Sequence, residues 1–373
     1  MKFIINRDQF SKSLTNVTKI IQNKSVNPIL SNVKIDLNET GLVLIGSNGD
    51  ISITTQIPLF INDRQIIRDI SYGSTLVNAF LLTEIVKRID GDEISFEIVD
   101  DSIAKIETEK SNFKLNSVRA EEYLDIDFSK EGAKITLSSQ DFIDSINQVS
   151  FAASVKDTRP SLTAVNLESD TSKLIFTATD GARLAKKELN IQIQERLNAN
   201  IPSKTLNEVL RSITTEPFIE IYISDKKALF VLNNTIISSR LINGEYPNTK
   251  NIIPRSFYYL LEINASEFVS AMERVSLFSI EKDSVVKLTM NEGKVEVSSK
   301  SQQVGSAVET ISNFRYKGER LEISFNSEYV KSAIRSLKGT DVLLSFLGEM
   351  KPFTVTDKND DSIVQLITPV RPY

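Results

Sequence analysis

Three times along this chain a strand-like stretch runs through a polar cap into a helix with the same buried face. In "KFIINRDQFSKSLTNV", "KITLSSQDFIDSINQV" and "LLEINASEFVSAMERV" the apolar and small residues recur at offsets 0, 3, 4 and 7. They are Phe10, Ser13, Leu14 and Val17, then Phe142, Ser145, Ile146 and Val149, then Phe268, Ala271, Met272 and Val275. That spacing is one face of an α-helix. The second member is small each time, which lets a helix sit close on a sheet. Asn6, Ser138 and Asn264 stand three residues before Gln9, Asp141 and Glu267, the arrangement of a capping box or a near variant. The three phenylalanines are separated by 132 and 126 residues.

Each third carries a second helix with the same pattern: Leu82, Ile85, Val86 and Ile89; Leu206, Val209, Leu210 and Ile213; Val330, Ala333, Ile334 and Leu337. These begin 72, 64 and 62 residues after the first helix of their third. "EISFEIV", "FIEIYIS" and "VLLSFL" follow them and read as strands. Further strand runs such as "NVKIDL", "KLIFTAT" and "KVEVSS" lie between. Six matches in one order predict a triplicated α+β unit, each copy with two helices and many short strands.

Composition narrows the function. Among 373 residues there is no histidine, cysteine or tryptophan. Disulfides, thiolate nucleophiles and Cys-based zinc sites are excluded, and the commonest general base is missing. No cofactor is expected; a carboxylate site for magnesium stays open. The net charge of −5 argues against coating nucleic acid by bulk attraction. "MKFIINRDQF" lacks a signal-peptide core because Asn6, Arg7 and Asp8 interrupt it, and no apolar run approaches the ~18 residues of a membrane span. A cytoplasmic protein with no membrane partner is the expectation.

Specific stretches then point to a family. The opening "MKF", "NPIL" at 27–30, "TATDGARLA" at 177–185, "LINGEYPNTKNIIP" at 241–254, "MKPF" at 350–353 and the tail "LITPVRPY" together make the chain resemble, end to end, the bacterial sliding clamps, the β subunits of DNA polymerase III. The resemblance implies an α+β chain of three tandem clamp domains, each of two helices packed on antiparallel sheets, over residues 1–125, 129–250 and 251–373, and a head-to-tail homodimer closing a ring of six domains, with twelve helices lining the hole. It implies a processivity subunit without catalytic activity. The implied partners are double-stranded DNA held without sequence preference, the replicative polymerase, a separate ATP-dependent clamp loader, and other repair or replication proteins.

By matching positions, the resemblance implies a hydrophobic peptide-binding groove of Leu162, Thr179, Gly181, Ala182, Arg183, Leu184, Pro247, Asn251, Ile252, Met350, Pro352, Ile367, Thr368, Pro369, Val370 and Arg371. Many family members carry histidine where Ala182 stands and a basic residue near Asn251, so this groove floor is less polar. The implied dimer interface sets Phe113 and Leu115 of one chain against Leu277 and Phe278 of the other. For DNA, the helical segments offer Arg7, Lys12, Lys204, Arg211, Lys331 and Arg335; segments 6–20 and 326–338 are each +2, and all six helical segments together reach +2 in a chain of −5. Lys24, Lys156 and Arg159 lie in loops similar to those that touch DNA in the family.

Two other readings fit parts of the sequence. One is a metal-dependent phosphoesterase built on Asp180 with acids such as Asp100 and Asp101. The other is an interaction scaffold that has no dealings with DNA.

Overall fold

A computed structural model describes residues 1–23, 26–193, 195–279 and 284–371. Its six helices fall where the repeated face predicts: α1 (Arg7–Thr18), α2 (Ala79–Arg88), α3 (Ser139–Val149), α4 (Ser203–Ser212), α5 (Ala265–Ser276) and α6 (Ser327–Ser336). The four-residue faces of α1, α3 and α5 are buried in full. On α2 and α4 the match is looser, since Ile85, Leu210 and Ile213 keep part of their surface in solvent.

The caps explain where the helices start. The Asn6 side chain accepts the Gln9 N–H at 3.1 Å, and Asn264 accepts that of Glu267 at the same distance. Asn78 and Asn326 do this for α2 and α6. A side-chain acceptor here satisfies an N–H that the helix itself cannot, worth about 1 kcal/mol per cap.

By contacts the chain forms two compact units, residues 1–139 with 207–241, and residues 140–206 with 242–373. In the first, thirteen strands join in one sheet. The two thirds meet in it through the pairing of Thr235–Arg240, from the middle third, with Ile51–Ile57, from the first third, Ile237 opposite Ile53. In the second, nine strands join through Arg183–Asn190 and Asp360–Ile367, Ala185 opposite Gln365. A further four-stranded sheet runs from Gly305–Ile311 through Lys294–Ser301 and Val285–Asn291 to Leu321–Asn326. The sequence repeat and the compact units therefore divide the chain differently. The middle third has two sheets, and each hydrogen-bonds edge to edge with a neighbouring third.

Apolar packing closes each unit. Phe3 stacks on Phe96 with ring centroids 5.0 Å apart and meets Phe10 edge-on at 6.1 Å. α1 lies so close to its sheet that a Cβ on Gly46 would come within 2.3 Å of the Val17 carbonyl oxygen. Only glycine tolerates that approach. At its far end α1 is tied to the last turn of α4, where Lys19 Nζ donates to Ser212 Oγ at 2.5 Å. Burial pulls the Lys19 ammonium below its ordinary pKa, with Glu208 opposing that shift. Each third thus supplies two helices and a set of antiparallel strands, and the fold is three tandem α+β units.

Candidate functional site

The stretch "TATDGARLA" is a strand, a tight turn and a second strand. Lys173–Thr179 pairs with Arg183–Asn190, and Asp180 to Ala182 make the bend. One carboxylate builds that bend. Asp180 Oδ1 accepts the N–H groups of Ala182 (2.9 Å) and Arg183 (3.0 Å), while Oδ2 accepts Arg183 Nε at 2.9 Å. Gly181 has φ +92, a left-handed conformation that side chains with a Cβ rarely adopt. Thr179 Oγ1 donates to the Arg183 carbonyl at 2.6 Å and accepts the Gly181 N–H at 3.1 Å.

Two other segments close on this turn. The segment after Leu241 is anchored by Asn200, whose side chain donates to the Gly244 carbonyl at 2.8 Å, and by Tyr246, whose hydroxyl accepts the Thr179 N–H at 3.0 Å. Burial pushes the Tyr246 phenol above its ordinary pKa, with the Asp180 charge adding to the shift against the Thr179 N–H. The C-terminal tail crosses the turn, with Thr368 N–H donating to the Ala182 carbonyl at 2.9 Å and Val370 N–H to the Ser324 carbonyl at 2.8 Å.

The result is a cavity of about 140 Å³ lined by Arg159, Leu162, Thr179, Gly181, Ala182, Arg183, Leu184, Pro247, Thr249, Ile252, Pro352, Leu366 and Thr368. Ten of the sixteen residues expected in the groove line it. Asn251, Met350, Ile367, Pro369, Val370 and Arg371 lie outside the lining; Asn251, Met350 and Arg371 are exposed, while Ile367 and Pro369 are buried. Leu366 and Thr249 line it as well, and neither belongs to the set that the sequence suggests. The alternation of the last strand is the signal that points to Leu366.

Two arginines have settings that bear on their expected roles. From the sequence, Arg183 can either donate to the carbonyls or acids of a peptide in the groove or form a local turn salt bridge with Asp180. In the structure it is only 16% exposed, held by Asp180, and its guanidinium carbon sits 4.4 Å from the Tyr329 ring centroid and 5.4 Å from that of Phe151. It braces the cavity wall, because the planar cation is already engaged on its edge and its face. The sequence groups Arg159 with the DNA-contacting residues. It lines the cavity, 65% exposed, with Asp157 at 3.6 Å as its ion-pair partner.

The other basic residues separate by environment. Lys12, Lys156 and Lys204 are exposed and form no ion pair among the described residues. Arg7 is bound to Asp8, Arg211 to Glu208 and Arg335 to Glu273. Lys331 is a correction: it is buried, with its ammonium 2.5 Å from Glu328, so it presents no free charge to a phosphate. It falls on the packed side of α6 between Val330 and Ala333. Lys24 lies outside the described residues.

The expected interface residues are surface residues. Leu277 is 75% exposed, Phe113 is exposed, and Leu115 and Phe278 are half-buried. Phe113 and Leu115 belong to Asn112–Val118, which pairs with Ile103–Glu107 along residues 112–116 and with Gly73–Asn78 only at Ser117 and Val118. Asp180, Asp100 and Asp101 do not assemble into a metal site; among the described residues no group of three acids, histidines or cysteines could hold a metal ion. No described helix is long and apolar enough to cross a membrane.

Comparison with known proteins gives one family over the whole chain. Residues 1–127, 136–248 and 250–371 match the N-terminal, central and C-terminal domain families of the DNA polymerase III beta subunit. The beta sliding clamp of Bacillus subtilis (strain 168) is 35% identical over 378 residues, covering all of both chains, and that of Staphylococcus aureus (strain N315) is 34% identical over 376 residues, again covering both. Crystal structures of the Bacillus subtilis sliding clamp and of the Streptococcus pneumoniae DNA polymerase III beta chain superpose with TM-scores of 0.96, at 35% and 32% identity over the full length of each chain. The chain belongs to the DNA polymerase III beta subunit family, the bacterial sliding clamps, which are processivity factors and not enzymes.

Proposed function

We propose that two copies of this chain, each of three clamp domains spanning about residues 1–125, 129–250 and 251–373, close head to tail into a ring around duplex DNA. In this reading the cavity beside Asp180 docks apolar segments of the replicative polymerase and other DNA-handling proteins, and a separate ATP-dependent clamp loader opens and closes the ring. A ring needs no base contacts. It holds DNA by topology and slides on weak, water-softened phosphate contacts, whereas base-edge bonds would fix it in one register.

The observation that carries the reading is a pair of open strand edges with apolar residues on them. Asn112–Val118 leaves one side of residues 112–116 unpaired among the described residues and exposes Phe113. Gly305–Ile311 is the edge of its four-stranded sheet, with Val308 61% exposed, and Leu277 stands out from the end of α5. Open apolar edges are a liability in an isolated chain and a joint in an assembly. Pairing the first edge of one copy with the second edge of another satisfies both, and a heterologous contact of this kind closes a ring when the rotation permits. Each ring then carries two grooves.

Sedimentation in solution tests the assembly. The reading predicts a single species near twice 41.8 kDa that falls toward 41.8 kDa on dilution. A strictly monomeric chain at micromolar concentration contradicts it.

A further inference from the structure

Sulfur is scarce in this chain, which has four methionines and no cysteine. Met272 and Met290 are wholly buried, and Met1 is half-buried. Met350 alone of the four is largely open, at 50% exposure. It occupies the turn between the strands Asp341–Phe346 and Phe353–Asp357, where Lys351 N–H donates to the Gly348 carbonyl at 3.4 Å. Two residues later Pro352 lines the cavity beside Asp180. The most accessible oxidisable sulfur therefore stands two residues along the chain from a lining residue of the candidate groove, on the side that the groove reading extends to. Thioether oxidation follows exposure, and no thiol in the chain competes for the oxidant.

We infer that Met350 is a reversible oxidation site through which peroxide weakens docking of apolar peptides in this groove. The inference rests on the groove reading given above. The sulfur lone pair takes one oxygen of hydrogen peroxide as the O–O bond breaks. The other oxygen leaves with both peroxide protons as water, so sulfur is oxidised by two electrons and the peroxide is reduced. The product replaces a flexible apolar side chain with a polar, chiral sulfoxide. An apolar ligand reaching that side must then strip water from the S=O dipole without returning a hydrogen bond.

The test uses the full chain and a labelled short peptide with adjacent Leu and Phe. Mild hydrogen peroxide should add one oxygen at Met350 before Met272 or Met290, as peptide mass mapping reads. Saturating peptide should slow that addition. Affinity should fall about tenfold on oxidation and return after methionine sulfoxide reductase treatment. In the Met350→Leu chain, peroxide should cause no change relative to that variant's own untreated affinity. Unchanged affinity of the Met350-oxidised chain, or an equal loss on peroxide treatment of Met350→Leu, overturns the inference while leaving the groove in place. An untreated chain that ignores the peptide overturns the groove reading and this inference with it.

Discussion

The guanidinium of Arg183 lies over the ring of Tyr329, 4.4 Å from carbon to centroid, and its Nε is 2.9 Å from Asp180. That contact joins the turn of the middle repeat to α6 of the last one, inside a single packed unit. The groove wall is thus set by a cation engaged on both its face and its edge. Arg183→Ala should lower stability by about 2 kcal/mol, since it removes a stacked cation and leaves Asp180 short of a partner. Peptide affinity should fall about tenfold or more while the dimer mass stays the same. Arg183→Lys should restore little, because an ammonium has neither the planar face nor the fork. Fluorescence anisotropy of a labelled peptide, with thermal melts of each variant, reads both effects; wild-type affinity in Arg183→Ala would remove the groove assignment.

Leu277 and Phe278 should matter to assembly more than to folding. Leu277 is 75% exposed in the single chain, so truncating it leaves little cavity behind. The double variant Leu277→Ala with Phe278→Ala should raise the dimer dissociation constant about a hundredfold, on the order of 3 kcal/mol for two apolar side chains no longer buried. Analytical ultracentrifugation over a dilution series measures this. An unaltered dimer would count against the proposed interface.

The cations should separate in the same way as their environments. Replacing the exposed Lys12 and Lys156 by Ala should weaken association with a short duplex at low salt and flatten the salt dependence, by about 0.9 in log–log slope for each phosphate no longer neutralised. Lys331→Met should leave that slope where it was, because Lys331 is buried against Glu328. A slope change in Lys331→Met equal to that in the exposed set would contradict this separation.

Alkaline titration offers a check on the strap that carries Pro247. The Tyr246 phenol is raised above its ordinary 10.0 by burial, and Tyr123 is likewise pushed up to about 12. The folded state holds these protons more tightly than the unfolded chain. Their contribution to stability is therefore complete below pH 10 and is lost as pH rises through the folded values. Tyr246→Phe should flatten the alkaline limb of the stability–pH curve. It should also loosen peptide binding at neutral pH, since the Thr179 N–H loses its acceptor at 3.0 Å. An alkaline limb identical in the variant would show that Tyr246 is not the group responsible.

The helices and the triplication are legible in the sequence because they rest on local periodicity. Phe10, Ser13, Leu14 and Val17 are buried as their spacing requires, and Asn6 and Asn264 cap as their positions require. Which strands pair across the repeats is not legible. Thr235–Arg240 beside Ile51–Ile57 joins residues about 180 positions apart, and an alternating strand does not name its partner. Nor are the short strands Phe60–Ile61, Arg64–Gln65 and Ile67–Ser71, whose residues alternate weakly. At the site, residue identity outruns orientation. Asp180 and Arg183 are visible as a pair, yet nothing in their spacing shows that Tyr329 and Phe151 cover the guanidinium. Lys331 reads as surface charge by residue type, although the period of α6 puts it next to a buried valine. Arg159 reads as a DNA contact through the similarity of its loop, while its geometry brings it to the cavity.

Topological retention tests the central claim most directly. The chain is loaded by a clamp loader with ATP onto a nicked circular duplex, separated from free protein by gel filtration, and the DNA is then cut once. The account predicts that protein stays with the circle and is released on linearisation, and that blocking both ends of the linear DNA prevents release. Equal retention on circular and open-ended linear DNA, or none on either, would contradict it.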